Sequence, residues 1–198
     1  RGAIIGALFL VWGAVMTWVC LSGLPFRLGL PGQALVPLCW LTPTAILLIN
    51  RRWFTAHALS QRWLVGLQVW RAIGGAFLVE MQRGNLPGIF AYPAGVGDLI
   101  VAGVAISALV ASRGKPDVPR RWVIAVLVLG VADFASAFFF GFTSNEGPQQ
   151  LFHSEVPNRV LAFPTGLIPL FLVPYAIFFH GLSWLRLRAE RGTEREGA

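Results

Sequence analysis

Arg71, Asp98 and Asp133 are charged residues set within long apolar runs, where charge is costly to keep. A guanidinium at the centre of a spanning helix costs roughly 2.5–3.5 kcal/mol on insertion scales. It is retained where it faces a polar interior and meets a partner. The sequence therefore predicts an ion pair between Arg71 and Asp133. Counting about 1.5 Å of rise per residue puts Arg71 ~12 Å and Asp133 ~16 Å from the same membrane face, close enough to meet. Asp98 enters from the other end, roughly 8 Å deep by the same count. It is expected to reach the cluster through water or to line a cavity on that side. Such a cluster can lock helix register as a buried pair. It can also act as a gate or relay, opened when a proton, ion or anionic ligand competes for one partner. Gln68 and His180 complete the candidate ligand- or proton-binding set. His180 is read first as a cap at one end of the last helix, with proton handling as the alternative.

The elements that must position these groups follow from spacing. Gln68, Arg71 and Gly75 recur at i, i+3 and i+7, one stripe of an α-helix. Gly130, Asp133, Ala137 and Gly141 form a second stripe, and Ala94, Asp98, Ala102 and Ala105 a third. Each acid thus lies among small residues, the composition of close helix contacts in lipid. A short echo, Gly95-Val96-Gly97-Asp98 and Gly130-Val131-Ala132-Asp133, hints at an internal repeat. Glu80 falls on the other side of its helix from Arg71, where an i, i+3 pair with Arg83 accounts for it. The connection from Gly84 to Gly95 is rich in Gly and Pro and is expected to turn near Asp98.

Composition sets the frame. Of 198 residues, 56% are hydrophobic and 13% charged, about half the charged share of a soluble domain. Mean hydropathy is +0.66. Six segments have the length and character of membrane spans: Ala3–Leu21, Ala34–Asn50, Leu64–Met81, Pro93–Ala111, Trp122–Phe142 and Phe163–Leu185. The second is short and holds Pro37 and Pro43, so it is re-entrant in an alternative reading. The fold expected is an all-α bundle of six transmembrane helices over residues 1–187, with a polar tail over 188–198.

Basic residues gather in alternate loops: Arg51, Arg52 and Arg62; Arg113, Lys115, Arg120 and Arg121; and the tail from Arg186. The remaining loops carry Arg27, Arg83 and Arg159. This bias puts both termini in the cytoplasm, with Trp53, Trp63, Trp122 and Trp184 as interfacial anchors on that side. The net charge of +7 is thereby a topology signal, and no nucleic-acid partner is expected.

Several chemistries lack their residues. His57 and His153 fall in loops, so a membrane haem b has no second axial histidine at the depth of His180. Retinal needs a helix lysine, and Lys115, the only lysine, lies in a loop. His153 with Glu155 is too small a set for a metal, and Cys20 and Cys39 lack metal or redox spacing. Neither a phosphate-binding glycine loop nor an HExxH or GxSxG motif occurs. No cofactor is predicted.

The pattern Arg71…Gly74-Gly75…Phe77-Leu78, Leu86-Pro87, Phe90-Ala91…Pro93-Ala94-Gly95…Gly97-Asp98, and later Ile168-Pro169…Val173-Pro174…His180, resembles a group of bacterial multi-pass inner-membrane proteins of about this length. The resemblance covers the last four helices. It implies a six-helix inner-membrane fold and carries no assigned activity. On the residues themselves, the leading function is a small transporter-like or ligand-binding protein, with the lipid bilayer and a small anionic or protonatable ligand as partners. The alternatives are an accessory subunit packed into a larger membrane complex, and an intramembrane enzyme acting on a lipid or quinone.

Overall fold

The computed structural model describes residues 2–56 and 59–196. Arg1, His57 and the last two residues of the tail lie outside that set. The described chain is helical, with no strand. In order it forms α1 (Gly2–Leu21), α2 (Leu24–Arg27), α3 (Leu30–Gln33), α4 (Leu35–Ile49), α5 (Arg51–Ala56) and α6 (Gln61–Gly66). A 3-10 stretch (Val69–Gly75) leads into α7 (Ala76–Gln82), followed by α8 (Gly88–Ala111) and α9 (Arg120–Thr143). A π turn (Ile168–Leu172) then opens α10 (Val173–Glu196), which runs on through the expected tail boundary at residue 188.

Four rods are long and apolar enough to cross a membrane: Gln61–Gln82, Gly88–Ala111, Arg120–Thr143 and Ile168–Glu190. Upstream, the apolar helices Leu10–Leu21 and Leu35–Ile49 are shorter. Between them the chain turns through α2 and α3, where Gly23 and Gly29 hold φ of 67° and 60°. Residues with a Cβ avoid that region, so glycine is what lets the helix stop twice in quick succession.

Small residues decide the central packing. α8 buries Ala94, Asp98, Ala102 and Ala105, the stripe anticipated from spacing, and packs most extensively against α9 and the 3-10 stretch. α10 closes the other side against α4, α6 and α9. At its start, Pro174 has no N–H for the carbonyls four and five residues upstream. Two indoles take them instead: Trp12 Nε1 donates to the Leu170 oxygen at 3.2 Å and Trp40 Nε1 to that of Pro169 at 2.8 Å. The proline kink thereby ties α1 and α4 to α10.

The two ends of the bundle differ. At one end, Arg62 Nη2 donates to the carbonyls of Ser112 (2.7 Å) and Lys115 (2.8 Å), and Arg186 to that of Leu59 (2.9 Å), so the basic loops meet. Trp53, Trp63 and Trp184 are exposed on or beside these loops. At the other end, Gln33 bonds to the 144–162 connection through Glu146 and Gln149, and Arg159 N donates to the Asn85 oxygen.

Candidate functional site

Arg71 is fully buried, at 0% exposure. Its Nε donates to Asp98 Oδ1 at 2.7 Å, its Nη2 to Asp133 Oδ2, and its Nη1 to the Gly130 carbonyl at 3.5 Å. The guanidinium lies 4.0 Å over the Phe134 ring. One arginine from the first of the four rods therefore holds carboxylates from α8 and α9 at once. The Arg71–Asp133 pair expected from depth is present. Asp98 differs from its expectation: it bonds the guanidinium directly, with no need of bridging water.

Local backbone explains the fit. Around Arg71 the helix tightens to 3-10, with three residues per turn. Gln68, Arg71 and Gly74 then share one face, and all three are buried. The α-helical count had placed Gly75 there; Gly75 is instead half-buried. Gly74 matters because a Cβ there would collide with the Asp98 carboxylate. The same holds twice more. A Cβ on Gly97 would collide with Asp133 Oδ1, and one on Gly130 with His180 Nε2 while sitting 3.0 Å from Arg71 Nη1. Three glycines thus make room for three polar side chains.

His180 departs from the expected helix cap. It is 6% exposed, at the level of Gly130, with its ring 5.5 Å from Phe134. Its Nδ1 lies 3.0 Å from the Ala176 carbonyl. A carbonyl only accepts, so Nδ1 carries the proton and Nε2 presents a lone pair. That lone pair has no partner, nor do Asp133 Oδ1 and Gln68 Oε1, all buried. Buried polar atoms without partners cost about 1–3 kcal/mol each, so clusters of them call for an explanation. Gln68, though buried on the right face, shows no side-chain bond to the guanidinium.

A cavity explains part of it. A cavity of about 60 Å³, within a wider cleft of about 650 Å³ that takes in open solvent, has Asp98 and Asp133 on its lining. Its walls are apolar and aromatic: Trp40 and Phe138 lie 5.6 Å apart, Trp40 and Phe134 6.0 Å, and Phe77 and Phe90 5.3 Å. Gln33 and Asn145 mark the end away from the basic loops. They also border a second, polar hollow lined by Glu146, Asn158 and Arg159. An apolar chamber with a few convergent polar groups is the usual form of a small-molecule site.

A family model matches residues 30–188. The chain belongs to that family, DUF8737, a domain of unknown function. The DUF8737 match begins before α4, so it takes in the Trp40 wall of the cavity as well as the four long rods. No curated protein and no solved structure matches the chain.

In the sequence Gly97 stood out as the neighbour of Asp98, and Gly130 as part of the echo and of the Asp133 stripe. Their partners did not, because which atom fills the space above a glycine depends on helix crossing. Trp40, Phe134 and Phe138 carried no signal beyond apolarity. Among the described residues no three metal-ligating side chains come together.

Proposed function

We propose that this DUF8737 protein is a multi-pass protein of a bacterial inner membrane that binds a small molecule in the aromatic cavity above Asp98, Arg71 and Asp133, as a transporter or ligand-binding protein. Six segments cross the bilayer in this reading, α1 and α4 included, with both termini in the cytoplasm. The gathering of basic loops at one end supports that orientation, and it makes the cavity open to the outside. The observation that carries the functional reading is an apolar chamber ending on buried carboxylates, one of which keeps an unpartnered oxygen. A pair that served only to fix helix register would be expected to be closed and fully bonded.

Cysteine accessibility tests this. In a chain with Cys20→Ala and Cys39→Ala, Ala137→Cys places a thiol on the cavity lining. Ala135→Cys places one on the exposed, lipid-facing side of the same helix. A charged, membrane-impermeant thiol reagent added to intact cells is expected to label the first and spare the second. Labelling of neither means a dry core and returns the protein to the accessory-subunit reading.

A further inference from the structure

We infer that the cavity takes an organic cation, with an ammonium group against Asp133 and an apolar body along the aromatic walls. The inference rests on the ligand-binding reading above and assigns the chemical class of its ligand. Charge comes first. Two carboxylates face one guanidinium, and with both ionised the cluster carries one formal negative charge. Arg71 is engaged on Nε and both Nη atoms, with its face covered by Phe134. It therefore presents no open side to an anion and is absent from the cavity lining.

The unpartnered atoms point the same way. Asp133 Oδ1, on a residue of the cavity lining, is an unpartnered acceptor; His180 Nε2 and Gln68 Oε1, also without partners, belong to residues off that lining. What this region lacks is a donor, and an ammonium group brings both the donors and the missing charge. Asp133 is 8% exposed and lines the cavity, so a charge there meets its partner largely out of water. Above it, the rings of Trp40 and Phe138 line the cavity and are of the kind that attract cations, while Phe134 already carries Arg71 over its ring. An anion would meet two carboxylates at the floor and mostly apolar walls above them. The polar hollow beyond Gln33 and Asn145 supplies a wet approach for a charged head group.

The test uses three probes with one apolar body: 4-phenylbutylamine, 4-phenylbutanol and 4-phenylbutyrate. Each is titrated against the full chain in lipid nanodiscs, with empty nanodiscs as the partition control. We expect the amine to bind at least about tenfold tighter than the alcohol, and the acid weakest. Asp133→Asn should bring the amine down to the alcohol, while Asp133→Glu keeps the order. Phe138→Leu, which leaves the ion pairs intact, should weaken the amine more than the alcohol. Equal binding of amine and alcohol overturns the inference in favour of an apolar pocket, and tightest binding of the acid overturns it in favour of Arg71 as an anion site. If none of the three binds yet Ala137→Cys still reacts from outside, the cavity stands and the cation does not. If none binds and that thiol is silent, the ligand-binding reading itself fails.

Discussion

The protein contains two polar clusters at opposite ends of the same requirement to hide charge. Around Asp117, the carboxylate accepts from the backbone N–H of Gln61 (3.1 Å) and Arg62 (2.7 Å) and from Arg186 Nη2 (3.2 Å). Gln61 and Ser183 bond each other both ways, with Ser183 Oγ donating to Gln61 Oε1 at 2.6 Å. None of these side chains is left with a buried, unpartnered atom. The Arg71 cluster is more deeply buried and less completely bonded. The Asp117 cluster caps the start of α6 and joins loops near water. The Arg71 cluster is held open by glycines beside a cavity. Satisfaction without space reads as structure; space without full satisfaction reads as a site.

The sharpest way to separate the two is to remove one charge from each. Arg71→Ala strands two carboxylates inside the bundle and is expected to cost about 3–5 kcal/mol. The readout is folded yield and unfolding in detergent. Joint replacement with Asp98→Asn and Asp133→Asn should restore much of that loss. If Arg71→Ala proves as mild as Asp117→Ala, the contrast between the clusters dissolves.

Smaller in effect is Gly97→Ala, whose methyl must push Asp133 aside, at about 1–3 kcal/mol. Gly103→Ala, on the same helix with open space around it, is its control and should stabilise α8 by up to about 1 kcal/mol. Equal melting shifts for the two would mean Asp133 has slack. Asp117→Ala removes an acceptor from the first turn of α6 and should cost about 0.5–2 kcal/mol, as a lost helix cap does. Binding at the cavity should be unchanged in that variant.

The smallest effect lies at Glu80, which bonds Arg83 and Asn85 at 2.7 Å each near the cavity end of the bundle. The i, i+3 pair anticipated from spacing is present. Because Arg83 is largely exposed, Arg83→Ala is expected to cost less than about 1 kcal/mol. A loss matching that of Arg71→Ala would show that burial does not set the worth of these pairs.

Much of the frame was legible because it rests on period and composition. Ala94, Asp98, Ala102 and Ala105 repeat along a regular α-helix, and regular helices keep their faces. Arg71 itself stood out by the cost of its setting. The count failed four residues further on, at Gly75, because the backbone there winds at three residues per turn, and no side-chain pattern announces that change. His180 was misplaced for a related reason. Its place toward one end of the last helix suggested a cap, whereas the crossing of α10 over α9 carries it to Gly130.

The amino-acid sequence by itself determined that this chain buries charge among helices and which charges those are, since hydropathy and the price of an unpaired ion are local properties. Tertiary structure alone decided that Asp98 and Asp133 share one guanidinium, that three acceptors are left over, and that aromatic walls enclose the space beside them. Those outcomes depend on where separate helices cross, and glycine's lack of a side chain lets them cross closely enough for such contacts to form.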